Sequence, residues 1–466
     1  MSKRMASTAL PLVSNSARAF VVSARAATRI ALLTLALIAA SASAQAQVTL
    51  THGPITGAVD ANDATVFTRT SDVATVAIQY STDSGMANPT SSSSFTTNAN
   101  DDFTSNIQLT GLTPETAYYL NVLVNGVPQL TAPFPTFTTF PVAGSVRQFK
   151  FIYLTDFAAQ SSQPPGLTFG TFSAAAAENP KFVYIGGDFD HSGPITIQGK
   201  RTMFKLLYDP TQSGLADFVN KILRGMAIVH CWDDHDSGPD NDSKTYSGWD
   251  WSYQVFREYV PMYATPAPQP AVYQSFSYGQ VDFWATDMRS QRDDEYDVDG
   301  PHKSMLNATR LGPQSELAWL ENGLLKSSAT WKIIISSDGV ANPTVRYPDL
   351  WAGYQTEFVA LRNFINSNQI KNVVFLTNDL HFGGIDDGAE SGFPEMTVGA
   401  VNLLIAPGST CRASNVGKWD VGTYYNDTGP CYQYGVITVS TNPDQLLLQI
   451  KDDQGNVRIS YTVNAN

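Results

Sequence analysis

Phe182-Val-Tyr-Ile-Gly-Gly-Asp188-Phe-Asp190-His191 decides the fold: four apolar residues of strand character run into a glycine pair, then into two carboxylates and an imidazole. The pattern recurs at Ala227-Ile-Val-His230-Cys-Trp-Asp233-Asp234-His235-Asp236 and at Val373-Val-Phe-Leu-Thr-Asn378-Asp379-Leu-His381. A fourth run, Phe149-Lys-Phe-Ile-Tyr-Leu-Thr-Asp156, ends in a single carboxylate. Hard oxygen donors and imidazoles delivered again and again to the carboxyl ends of apolar strands suit one dinuclear metal site assembled from several loops. Four of the six histidines (His191, His230, His235, His381) fall inside these runs, which packing alone does not explain. His230 lies within its apolar run and is read as a buried, hydrogen-bonded histidine rather than a ligand.

Around these motifs, strand-like runs (149–155, 182–187, 226–230, 281–286, 331–336, 372–377) alternate with helix-like ones (201–208, 215–224, 250–260, 314–327, 355–367). The alternation predicts an α/β fold with sheets covered by helices. In the helix starting near Pro313, Leu317, Leu320, Leu324 and Leu325 form one apolar stripe. The stretches Gly435-Val-Ile-Thr-Val and Gln445 to Ile450 return to strand character.

Residues 48–140 are rich in Thr, Ser and Val in alternating patterns, which predicts a small all-β module. Leu109-Thr-Gly-Leu-Thr-Pro114-Glu-Thr-Ala-Tyr118-Tyr-Leu120 has the spacing of a tyrosine-corner strand, with Tyr118 at the corner. Pro133 to Pro141 reads as a stiff linker. The expected organisation is a leader over 1–46, a fibronectin- or immunoglobulin-like sandwich over 47–140, and a catalytic domain over 141–466.

The leader expectation rests on Lys3, Arg4, Arg18, Arg25 and Arg29 without an acid, the apolar run Ile30–Ala40, and Ala42-Ser-Ala44-Gln-Ala46. This is a secretory signal with an A-x-A-type cleavage site, so a secreted or periplasmic protein with no membrane span after cleavage is expected. The full chain carries a formal charge of −13; without the leader it keeps 24 basic against 42 acidic residues. Such a surface repels polyanions and excludes a broad electrostatic grip on nucleic acid. In an exported chain, Cys411 and Cys431 are expected to pair across a polar loop, leaving Cys231 as a buried thiol. The acidic stretch Asp293–Gly300 fails as a calcium loop of the EF-hand type, because Leu306 stands where a bidentate acid is required. Neither a G-x-S-x-G elbow nor a P-loop is present.

A dinuclear site needs a bridging carboxylate, and Asp188 is the natural one, since Gly186-Gly187 lets the backbone turn toward the ions. Asp156 and His381 would complete one cation site, Asp234 and Asp379 the other. His235, directly after a ligand, is placed to give a proton to a leaving oxygen.

The order strand-Asp, Gly-Gly-Asp, Asp-His-Asp and Asp-x-His resembles the calcineurin-like metallophosphoesterases. Trp232–Asp236, Asp287-Met-Arg289-Ser-Gln-Arg292, Leu311-Gly-Pro-Gln314 with Trp319-Leu320, and Asn378–Phe382 are similar to the PhoD-type alkaline phosphatase/phosphodiesterase branch, as is the preceding sandwich. The resemblance implies a four-layer αββα sandwich and an exported enzyme. That enzyme would hydrolyse phosphomonoesters or phosphodiesters through a hydroxide held by two metal ions. The ions would be divalent (Ca, Zn, Mn or Mg), with iron as a further candidate. The substrate would be a small phosphate ester or a phospholipid headgroup. The chain departs from the branch where Asp156 replaces a Gly-Ser-Cys segment, and where His191 replaces the tyrosine that binds ferric iron in purple relatives. His191 is therefore a candidate ligand, and a histidine-ligated divalent ion competes with iron. A further strand-end histidine of the superfamily has no counterpart, since Ile333-Ile-Ile-Ser336-Ser337-Asp338 occupies its place. Arg289 is the expected partner of the outer phosphoryl oxygens, or else an ion-pair partner of Asp287, and Asn241 is a candidate neutral donor. Two other functions remain open: a hydrolase of the same fold acting on polyphosphate or phospholipid, and a non-catalytic surface-binding protein. The sequence leaves the oligomeric state undetermined.

Overall fold

The computed structural model describes residues 47–466 except 159–169, 213, 267–270, 308–314, 341–347, 404–417 and 426–430. The leader, the helix start near Pro313, the Leu311–Gln314 motif and Cys411 lie outside the described residues.

Two sheets pack face to face. In the first, Phe149–Leu154, Phe182–Ile185 and Ala227–His230 run parallel, and the C-terminal strands Gln433–Thr441, Asp444–Asp452 and Val457–Asn464 extend it antiparallel. In the second, Val281–Ala285, Trp331–Ile335, Val373–Thr377 and Glu395–Thr397 run parallel. Gln274–Tyr278 flanks them on one side, and Gly383–Asp386 with Gly422–Tyr424 on the other. The sheets meet through interlocked rings: Phe151 on Phe283 at 5.4 Å, Phe182 on Phe276 at 5.6 Å and Phe182 on Phe283 at 5.7 Å. Such pairs add about 0.5–1.5 kcal/mol each beyond area burial.

The central strands are buried at every position, as runs such as Phe182-Val-Tyr-Ile and Trp331-Lys-Ile-Ile-Ile require. Helices cover the outer faces. On the first sheet sit Ile197–Leu207 and Trp249–Tyr259, whose Phe204 and Tyr259 rings stack at 5.1 Å. On the second, Glu316–Lys326 and Gln355–Ser367 bury Leu320, Leu324, Phe358, Leu361 and Ile365 against Ile334 and Phe375. Residues 215–224 form a π-helical turn, Phe218–Leu223, rather than a regular helix.

The first part of the chain is all-β. Thr75–Ser81 pairs with Ala117–Val124, while Leu50–Gly57, Ala64–Thr70 and Thr104–Leu109 form an antiparallel ribbon. That ribbon is hydrogen-bonded to the first sheet, because Gly57 pairs with Ile228 in parallel register. A side chain at Gly57 would stand 2.2 Å from the Pro261 carbonyl oxygen, so glycine is what permits the approach. A polar clamp reinforces the seam: Asp102 binds Arg69 at 3.1 Å and Lys205 at 3.1 Å and accepts from the Tyr259 hydroxyl, while Arg201 pairs with Glu258. Residues 48–466 form one compact unit.

The tyrosine corner closes as its spacing implies: the buried Tyr118 hydroxyl accepts from the Thr113 amide at 2.9 Å. Tyr118→Phe removes that acceptor and is expected to cost about 1 kcal/mol, read as a lower urea midpoint at unchanged slope. An unchanged midpoint would show the corner to be energetically idle.

Cys231 is buried and free, with its thiol 3.2 Å from the Thr286 carbonyl oxygen, and Cys431 is disulfide-bonded. No helix among the described residues is long and apolar enough to cross a membrane.

Candidate metal centre

The four strand ends converge. Asp156, Asp188, His191 and His381 each present a ligand atom, all within 4.8 Å of one another, and Asp188, Asp233, Asp234 and Asp379 do the same. Asp188 belongs to both groups, the position a bridging carboxylate needs. His235 offers a ring nitrogen to a third overlapping group with Asp188 and Asp234.

Local backbone geometry explains the convergence. Asp156, Asp188, Asp379 and His381 all adopt left-handed backbone conformations, with φ of 54°, 56°, 71° and 56°. Such conformations are uncommon outside glycine and cluster where function demands a particular side-chain direction. Each turns the chain sharply at a strand end and aims its side chain into the gap between the sheets' carboxyl ends.

In the first group, the His191 and His381 Nε2 atoms stand 3.0 Å apart. The Asp156 Oδ1 atom lies 3.3 Å from His381 and 3.9 Å from His191, and Asp188 Oδ2 lies 3.4 Å from His191. Both Asp156 carboxylate oxygens are buried without a hydrogen-bond partner among the described residues. Orphaned oxygens and imidazole nitrogens facing one point are what a cation satisfies, so these residues fit a metal ion. Burial, then the neighbouring Asp233, raises the Asp156 carboxyl well above its usual range; burial and then Asp234 do the same for Asp188. Burial, then His235, lowers His381 to about 4, and burial with the other two histidines lowers His191 well below its ordinary value. Neutral imidazoles are the metal-binding form.

In the second group, burial pushes Asp234 up, but Arg289 and His235 outweigh it and hold the carboxyl well below its usual range. Asp234 also accepts from the Asn241 amide at 2.8 Å and the His235 amide at 2.8 Å. Asn241 thus enters through its main chain, at a φ of 55°. The His235 Nε2 atom lies 3.6 Å from the exposed Asp240 carboxylate.

Arg289 takes a place the sequence did not suggest. Its side chain is 0% exposed, and it binds Asp233 through Nε at 2.6 Å and both Asp379 and Asp338 through Nη2, at 3.0 and 3.2 Å. It sits behind the carboxylates rather than in the opening, neutralising part of their charge. Asp287 is not its side-chain partner: the Asp287 carboxylate is taken by the Trp232 indole, the Val272 amide and Ser290. Asp338, at the strand end lacking a histidine, is buried between Arg289 and Arg292; burial raises its carboxyl to about 7 despite both.

His230 also departs from expectation. It is buried, but neither ring nitrogen has a hydrogen-bond partner among the described residues; the ring lies edge-on to Phe189 at 4.4 Å and Phe256 at 5.1 Å. Burial lowers it well below its ordinary value, so it packs as a neutral ring in an aromatic cage.

Two residues of the centre were not singled out from sequence. Asp233 accepts from Arg289 and, at 2.7 Å, from the Asn378 amide group, and it caps the short Asp234–Ser237 helix. Asn378 in turn bonds the Gly186 carbonyl at 3.2 Å and accepts from the Tyr153 hydroxyl at 2.6 Å, joining three strand ends. Adjacent aspartates at 233 and 234 cannot be told apart by spacing; only their partners separate them.

Known proteins share the fold. A family model described as "PhoD-like phosphatase, N-terminal domain" matches residues 36–141, and one described as "PhoD-like phosphatase" matches residues 212–408. Alkaline phosphatase D of Bacillus subtilis (strain 168) is 32% identical over 146 residues, 28% of this chain. That match spans 25% of the relative's own length. A solved structure of PhoD superposes with a TM-score of 0.70 at 18% identity, covering 88% of this chain and 90% of the other. A purple acid phosphatase from yellow lupin (Lupinus luteus) seeds, PPD1, gives a TM-score of 0.57 at 14% identity, covering 90% of this chain and 74% of the other. An all-β domain matched by the N-terminal-domain model leads into a metallophosphoesterase-like sandwich matched by the phosphatase model, and the chain belongs to the PhoD-like phosphatase family.

Proposed function

We propose that the chain is an exported metal-dependent phosphoesterase acting on phosphomonoesters or phosphodiesters. The observation that carries this is Asp188, shared between a group containing two imidazoles and a group made of carboxylates. Bound divalent ions would polarise the phosphoryl oxygens and generate a nucleophile from water at neutral pH. The group with His191 and His381 suits an ion that accepts nitrogen, such as zinc, manganese or iron; the carboxylate group suits calcium, magnesium or manganese. Among the described residues, no cysteine joins the Asp156–Asp188–His191–His381 group.

The chain's own residues supply the rest. Arg289 holds Asp233 and Asp379 in place from behind. Asn241 and the His235 amide orient Asp234. His235 holds the proton that the departing alcohol oxygen takes up. Export is supported by the composition of residues 1–46 and by the disulfide at Cys431, which suits an oxidising compartment.

His235→Gln tests the acid role, because an activated nitrophenolate leaves without help and a simple alcohol does not. Hydrolysis of an alkyl phosphate is expected to fall by about 10²–10⁴-fold, with a much smaller loss on a nitrophenyl ester. Equal losses on both would remove His235 from proton transfer. A panel of mono-, di- and polyphosphate substrates with phospholipid vesicles separates ester hydrolysis from the rival substrates.

A further inference from the structure

Asp236 takes no part in the chemistry outlined above, yet its carboxylate sits where the two ligand loops meet. Its Oδ2 atom accepts from the main-chain amides of Asp188 at 2.7 Å and Asp233 at 3.1 Å, and its Oδ1 atom from that of Phe189 at 2.9 Å. Two of these amides flank the side chain of the bridging Asp188; the third belongs to the residue before Asp234. Asp236 is 4% exposed, so the three bonds form away from water and count for more than they would at the surface.

The surroundings are built to admit this carboxylate. Gly187 has a φ of +98°, and a side chain there would lie 2.6 Å from Asp236 Oδ2 and 2.4 Å from the Asp233 nitrogen. Only glycine lets the turn before Asp188 close onto the acid. Lys200, from the Ile197–Leu207 helix, is 1% exposed, supplies a positive charge that acts on Asp236, and donates to the His235 carbonyl at 2.6 Å.

We propose that Asp236 is a positioning residue that ties the Asp188 loop to the Asp233–Asp234 loop, fixing the spacing of the two cation subsites before any ion binds. What is positioned rests on the metal-dependent reading above; the clamp itself exists without metal. The chemistry requires a carboxylate. All three partners are N–H donors, and aspartate offers acceptors on both oxygens. In Asp236→Asn the shape is kept, but in either orientation the amide nitrogen faces an N–H donor, so at least one of the three bonds is lost.

The experiment is hydrogen exchange on the metal-free whole chain, wild type and Asp236→Asn, paired with manganese(II) titration. In the wild type, the amides of Asp188, Phe189 and Asp233 are expected to exchange slowly without metal. In the variant they should exchange rapidly, and Mn²⁺ affinity should fall by about 10–100-fold, the usual cost of losing a partner that orients a ligand. A purely structural role gives a different split: metal-free melting falls while the folded variant binds Mn²⁺ as the wild type does, and that result overturns the proposal. If the variant does not fold, the wild type still decides, since rapid exchange at those three amides without metal also overturns it. Failure of the metal-dependent reading shows separately, as a wild-type chain that takes up no Mn²⁺.

Discussion

Asp188→Ala is expected to abolish hydrolysis of a chromogenic phosphate ester, a loss beyond the ~10²–10⁴-fold that one acid–base group contributes. The reason is that Asp188 is shared: its carboxylate belongs to three overlapping ligand groups, and through them it meets Asp156, His191, His381, Asp233, Asp234, His235 and Asp379. Removing it takes a ligand from both subsites at once and breaks the link that sets their separation. Metal content should fall with activity. Folding should survive, since in the metal-free chain burial and then Asp234 push the Asp188 carboxyl well above its usual range, so its charge is a cost there. A variant that keeps most of the wild-type rate would remove the mechanism, and a variant that loses activity while keeping both ions would reassign the bridge.

The second large effect is loss of activity on chelation. Metal-free protein should be inactive, and added divalent ion should restore it. The centre gathers Asp156, Asp188, Asp233, Asp234 and Asp379 with Arg289 as the cation that pairs directly with two of them. Ions at 100 times their dissociation constant would stabilise the folded chain by about 2.7 kcal/mol per independent site. Melting temperature should therefore rise with added metal, and the rise should shrink in Asp188→Ala. Full activity after exhaustive chelation would contradict the account.

Much of this was legible in the sequence because a strand buried on both faces leaves little choice of residue. Phe182–Ile185, Ala227–His230 and Val373–Thr377 are apolar almost throughout, and their ends fall within a residue or two of where the runs stop. The candidate ligands were legible for the same reason, since a carboxylate ending such a run needs a cause. What could not be read was direction. Nothing in the letters Thr-Asp156 or Asp379-Leu-His381 announces a left-handed backbone, yet that conformation brings the side chains together.

For Arg289, motif order reveals proximity to the site but not depth. An arginine just past a strand end could face substrate, and only its three carboxylate partners show that it lies behind the ligands. His230 was expected to be hydrogen-bonded because buried polar groups usually are; the aromatic cage of Phe189 and Phe256 comes from elements distant in sequence. The seam between the N-terminal ribbon and the catalytic sheet was hidden for a similar reason, since it depends on one glycine, Gly57, meeting Ile228.

The most direct test is elemental analysis of the purified whole chain at neutral pH, alongside its rate on a phosphate ester. The account predicts about two metal ions per chain, as a dinuclear phosphoesterase requires, with activity rising and falling with their occupancy. A chain that binds no metal, and whose rate and melting temperature ignore added divalent ions, would contradict it.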